Sequence, residues 1–171
     1  YYRDGIQIIT PSVRRVAPEM ASPRAKTHNY LNFVMGDLEV QSQNPDALSV
    51  LLDRNGNLAE GKGSNIFVIK NQKLITPKEK YVLPGVSREV TMNLGRELGY
   101  EIEEDDIDLF DAYNADELFI TSTSFCICPV QSINGRRPSA NGVPGPITSK
   151  LINAYVDLVG FDWYGQYLSK I

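Results

Sequence analysis

Three short segments carry the side chains best suited to chemistry: Glu60-Gly61-Lys62-Gly63-Ser64-Asn65, Leu83-Pro84-Gly85-Val86-Ser87-Arg88, and the run Thr121-Ser122-Thr123-Ser124 at the end of an apolar strand. The second is the most informative on physical grounds. A glycine just before a helix lets another group approach the backbone, while Val86 and Ser87 place free N–H groups and a hydroxyl at the positive end of the helix dipole. That arrangement binds an anion, phosphate most naturally; Ser87 as a simple helix cap is the alternative this segment alone leaves open. Cys126 and Cys128 sit one residue apart, and with His28 as the only histidine they make a poor zinc set, so no metal site is expected. Both cysteines read instead as buried thiols of a reducing, cytoplasmic compartment.

Periodicity supplies the elements that must hold these segments. Ile6 to Thr10 and Val13 to Val16 read as short strands interrupted by Pro11. From Lys26 the period becomes helical: Tyr30, Leu31, Val34, Met35 and Leu38 predict a helix over 26–42 with an apolar face, bounded by Asn44-Pro45. Ala47 to Leu52 is a buried strand leading through Asp53-Arg54-Asn55-Gly56-Asn57 into a hairpin, and Ser64 to Lys70 pairs with Lys73 to Thr76 across Asn71-Gln72. A helix follows from Val86 to Leu98, closed by Gly99; then come a short helix over Ile107 to Ala112, strands over 117–121 and 126–133, and a helix from Ile147 to Val159. No repeat or interdomain linker interrupts this, so 1–171 reads as one α/β or α+β unit.

Composition narrows the partners. The 171 residues are 42% hydrophobic and 22% charged, ordinary globular values that exclude a disordered or fibrous chain. A net charge of -4 offers no bulk positive field to nucleic acid or anionic lipid, and no run nears the roughly 20 apolar residues of a spanning helix. Nucleic-acid and membrane partners are therefore not expected. The first residues, Tyr1-Tyr2-Arg3, include no methionine, which gives the expectation of an opening within a larger molecule.

Taken in order, the motifs Ala25-Lys26-Thr27-His28-Asn29-Tyr30-Leu31-Asn32, Leu58 to Phe67, Leu83 to Arg88, Ala115 to Thr123, Pro129-Val130 and Gly145-Pro146-Ile147-Thr148 form one pattern. The chain resembles the class IV aminotransferases, the fold-type IV pyridoxal-phosphate enzymes that include branched-chain and D-amino-acid aminotransferases and aminodeoxychorismate lyase. The resemblance runs from about Gly5 to Val159. It implies the D-amino-acid aminotransferase-like fold: a large C-terminal domain with a β-barrel-like core surrounded by helices, here without the smaller N-terminal domain.

By position, the resemblance makes Lys26 the residue that forms the internal Schiff base with pyridoxal 5'-phosphate; the chemistry needs an amine whose pKa burial and neighbours can lower. Composition alone would leave Lys26, one of eight lysines, on the surface, and Glu60 as a solvated turn carboxylate. The resemblance instead sets Glu60 against the pyridine nitrogen and Tyr30 against the ring oxygen, with Gly63 letting the backbone approach the ring. Leu83 also contacts the cofactor, Val86, Ser87 and Thr123 cradle its phosphate, Thr123 and Ser124 meet the substrate carboxylate, and Asn65 buttresses the turn. The implied reaction is ping-pong transamination between an amino acid, branched-chain by default, and a 2-keto acid in a homodimer. D-amino acids and (R)-amines are other substrate classes. Two rivals stay open: a lyase of the aminodeoxychorismate type, which Tyr30 and Thr123 argue against, and a truncated chain that folds and dimerises without turnover.

Overall fold

Continuous apolar runs become the central strands of one sheet in the computed structural model, which describes residues 1–170. The strands are β1 (Ile6–Ile9), β2 (Leu48–Leu52), β3 (Leu58–Gly61), β4 (Ser64–Lys70), β5 (Lys73–Pro77), β6 (Glu101–Asp105), β7 (Glu117–Ser122) and β8 (Cys126–Ile133). The helices are α1 (Leu31–Gln43), α2 (Val86–Glu97), α3 (Leu109–Tyr113), α4 (Pro146–Val159) and α5 (Trp163–Leu168).

Strand order is β3-β2-β1-β8-β7-β4-β5-β6, and β3 also pairs with β4, so a 6-strand barrel closes while β5 and β6 continue outward from β4. β4 forks to do this. Its first residues pair with β3, Glu60 opposite Asn65 and Gly61 opposite Ser64, while Val68 to Lys70 pair with β5. Five successive residues of β4, Asn65 to Ile69, are buried because the barrel interior covers one face and packed helices the other. α2 lies against β7 and β6, α4 against β8, and the two helices against each other. The expected mixed α/β architecture, a barrel surrounded by helices, is what forms. Among the described residues no helix is long and apolar enough to cross a membrane.

The helix expected from Lys26 starts at Leu31 instead. Residues 25–30 are held by short turns, Thr27 N–H to Ala25 C=O at 2.9 Å and Tyr30 N–H to His28 C=O at 3.0 Å, with His28 at φ 59°. Asn32 fixes where the helix begins: its amide donates to Arg14 C=O at 2.8 Å and accepts from Val16 N–H at 3.1 Å. Much of the apolar stripe read from the sequence lies on the exposed side of the helix. Leu31, Met35 and Leu38 are 67%, 53% and 63% exposed, and the helix packs on β2 through Phe33, Gly36 and Val40. Periodicity reports that a stripe is apolar, not which body it faces.

Other differences are local. Val13–Val16 makes only a single bridge, Arg14 to Leu52. Ile107 stays extended, its C=O accepting Leu58 N–H at 2.7 Å, and the short helix begins at Leu109 behind the Asp108 capping box. β6 and α5 had no expectation. β6 has four acids in five residues, and it is held by parallel pairing with β5, reinforced by Lys73 at 2.9 Å from both Glu101 and Glu103. α5 is capped by Asp162 and buries Trp163 against Tyr2.

Candidate active site

The loop before α1, the β3–β4 turn, the N-terminus of α2 and the end of β7 surround one cavity of about 280 Å³. Lys26, Tyr30, Glu60, Gly63, Leu83, Val86, Ser87 and Thr123 all line it. The sequence motifs are separated by as much as 97 positions, and barrel closure brings them to one opening.

Glu60 sits in β3 with 4% exposure, so the solvated carboxylate that composition suggests is not what forms. Arg15 Nε donates to its Oε1 at 3.0 Å and Leu83 N–H to its Oε2 at 2.9 Å. Burial pushes the carboxyl above its ordinary value, outweighing the downward pull of Leu83 N–H, of Arg15 and of the Lys26 charge. The Arg15 guanidinium also lies 4.6 Å from the centroid of the Phe33 ring, so its stem and plane are both held. Arg15 was not anticipated as a site residue. Its only signal was an arginine inside an apolar strand-like run.

Leu83 is tied twice, because its C=O accepts the Asn65 side-chain amide at 2.9 Å while its N–H holds Glu60. A side chain at Gly85 would collide with Asn65 Oδ1, so the approach of the α2 loop to β4 requires glycine there. Gly63 is needed for a different reason. It turns the chain between β3 and β4 at φ +79°, in open space.

Gly85 is the N-cap of α2 and no side chain caps the helix, so Ser87 is not its cap. The N–H groups of Val86 and Ser87 have no acceptor among the described residues, and Ser87 is 4% exposed. Arg88 turns away from the opening. It is buried at 1% exposure with Nη2 donating to Glu104 at 2.6 Å and to Pro77 C=O at 3.0 Å, so it braces β5 and β6.

Lys26 and Tyr30 are brought together by the loop and not by a shared helix face. Lys26 is exposed, and its amine has no hydrogen-bond or ion-pair partner among the described residues. Tyr30 is half-buried, with the His28 ring parallel to it at 6.2 Å. Thr123 stands at the tip of the β7–β8 hairpin, while Ser124 is exposed and lies outside the lining. Ser122 Oγ accepts Ser124 N–H at 3.2 Å and Phe125 N–H at 2.9 Å, which fixes the hairpin tip. Thr121 Oγ1, also on the lining, is buried without a hydrogen-bond partner among the described residues. Neither cysteine contributes: burial pushes the Cys128 thiol up to about 12 and raises Cys126 as well.

These groups fit a phosphorylated pyridine aldehyde. An open helix N-terminus and a bonded hydroxyl suit the phosphate, an amine suits the aldehyde, and a buried carboxylate suits a ring nitrogen. An amine, a carboxylate and an anion cradle opposed across the mouth of a closed barrel define a small-molecule site of the cofactor-holding kind.

The chain belongs to the amino-transferase class IV family, whose sequence pattern matches residues 1–133. It is 42% identical over 156 residues to a putative branched-chain-amino-acid aminotransferase of Methanocaldococcus jannaschii, covering 91% of this chain and 54% of that protein. It is 36% identical over 158 residues to the branched-chain-amino-acid aminotransferase of Pseudomonas aeruginosa, covering 92% and 51%. Among solved structures, the branched-chain amino acid aminotransferase of Thermobaculum terrenum in its PLP form superposes with a TM-score of 0.85 at 34% identity, over 94% of this chain and 52% of that one. The chain thus spans about half the length of the curated relatives it matches.

Proposed function

We propose that this chain binds pyridoxal 5'-phosphate and forms the cofactor-holding part of an aminotransferase that moves an amino group between a branched-chain amino acid and a 2-keto acid. The observation that carries this is the opposition, across one cavity, of the unpaired Lys26 amine, the buried Glu60 carboxylate and the uncapped N-terminus of α2. When bound, the cofactor supplies an electron sink for the pair left at the substrate α-carbon. Lys26 holds the aldehyde carbon and moves the proton at that α-carbon. Glu60, fixed by Arg15 and Leu83, holds the proton on the ring nitrogen, and Tyr30 orients the ring through its oxygen. Val86 and Ser87 hold the phosphate by their N–H groups and the Ser87 hydroxyl. Thr123 and Ser124 meet the substrate carboxylate, the Ser124 N–H being held by Ser122 Oγ.

The same reading takes residues 1–171 as the cofactor-binding domain of a two-domain enzyme, working as a homodimer in the cytoplasm. Support for a partner comes from the exposed apolar residues Leu31, Met35 and Leu38 beside the cavity. Light scattering should return twice the chain mass; a monomer at high concentration would remove the dimer from the proposal. The central test is titration with pyridoxal phosphate. A visible absorbance band should develop, and borohydride should then trap a pyridoxyl group on Lys26 by peptide mass. No band, or trapping spread over surface lysines, overturns the reading.

A further inference from the structure

Next to Ser87, but not among the residues that line the cavity, lies a phenol that the proposed chemistry does not use. Tyr155 of α4 is 8% exposed, and its hydroxyl donates to Ser87 Oγ at 3.5 Å. That long bond is the one partner found for the phenol among the described residues. The Ser87 hydroxyl is otherwise free to rotate. No bond from the Ser87 hydroxyl back to the preceding turn is found among the described residues, and the Thr91 hydroxyl bonds Ser87 C=O, at 2.7 Å, not Ser87 Oγ.

The Tyr155 ring is itself held in place. It meets Trp163 edge to face at 6.3 Å and 85°, and Trp163 packs at 5.5 Å from Tyr2 and at 5.7 Å from Tyr164. Tyr164 OH then donates to Tyr2 C=O at 2.8 Å. The N-terminal turn and α5 therefore join behind α4 and set the angle of one phenol.

We propose that Tyr155 is a positioning residue for the anion cradle. By donating to Ser87 Oγ it occupies one of that oxygen's lone pairs and directs the Ser87 proton into the cavity, toward a phosphate monoester. This rests on the phosphate side of the function proposed above, and it predicts an effect on phosphate but none on the rest of the ligand. No covalent step is involved. The oriented hydroxyl is a donor already aimed at its acceptor, and its loss returns the rotor's freedom to the unbound state.

The test compares two aldehydes that differ only in the phosphate. In Tyr155→Phe, which keeps the ring and its packing, the dissociation constant for pyridoxal phosphate should rise about fivefold, the scale of one hydrogen bond, while that for pyridoxal stays unchanged. In a Ser87→Ala background the same substitution should have no further effect. Equal losses for both aldehydes would mean that Tyr155 only supports the fold and would overturn the inference, as would no loss for either. Inorganic phosphate, followed through the Ser87 amide resonance, is read separately from Lys26. Should neither aldehyde bind even the parent chain, the proposed function fails while weaker phosphate binding by Tyr155→Phe still supports the cradle, and unchanged phosphate binding sinks it.

Discussion

Glu60 and Lys26 face one cavity from opposite kinds of backbone. Glu60 projects from a strand buried along its whole length, and its carboxylate is bonded by a guanidinium and a main-chain N–H. Lys26 sits in a loop outside the regular elements, exposed and with its amine unattached. Under the proposed function the contrast would suit two different tasks. A group that sets the charge of a ring must not move, whereas one that holds an aldehyde, releases it and then carries a proton must change position during turnover.

If the two sides differ in this way, substitutions should rank by side. Arg15→Met leaves the buried Glu60 carboxylate without its cation and should cost about 3 kcal/mol of unfolding free energy at neutral pH, read from urea denaturation. That cost should shrink in acid as Glu60 takes up a proton; a pH-independent loss would show that Arg15 acts only by packing on Phe33. Gly85→Ala forces a methyl against Asn65 Oδ1 and should cost about 2 kcal/mol, with the Asn65 to Leu83 bond broken. An unchanged melting temperature would mean that the α2 loop is looser than its bonds imply.

Glu60→Gln sharpens the comparison by pH. Because burial raises its pKa, the folded chain holds the Glu60 proton more tightly than the unfolded chain does. The stability it gives is complete below the ordinary value of 4.5 and is lost as pH rises through the elevated folded value. The stability of the parent relative to Glu60→Gln should therefore fall as pH climbs above 4.5; a relative rise would mean that Arg15 outweighs burial. The smallest effect is expected on the other side. Lys26→Ala should shift unfolding free energy by no more than about 0.5 kcal/mol while removing the absorbance that pyridoxal phosphate induces. A large destabilisation would place Lys26 in the scaffold.

The sequence made the strands and the anion cradle legible, because both depend on local chemistry: apolar runs for β2, β4 and β8, and glycine before Val86-Ser87 for the helix N-terminus. The buried environment of Glu60 was not legible from composition, since a carboxylate in a Gly-rich segment looks solvated until the barrel closes over it. Arg15 and Tyr155 were invisible for the same reason. Their partners lie 45 and 68 positions away, and no local pattern reports a pairing of that range. The sequence shows that the α1 stripe is apolar but not where it faces, because an amphipathic period is silent about which body covers it.

Residues Ile6 to Ile9 complete the barrel by lying parallel to β2 on one side and to β8 on the other, with Ile6 opposite Val130. The consequence is kinetic. A strand whose neighbour is more than a hundred residues distant pays its loop-closure entropy before any pairing repays it, so the last gap of the barrel should close slowly. Until it does, β2 and β8 present two unpaired edges, each a template for the same strand from another molecule. Refolding yield should then fall with chain concentration, and a synthetic peptide of residues 1–10 added in excess should compete for the gap.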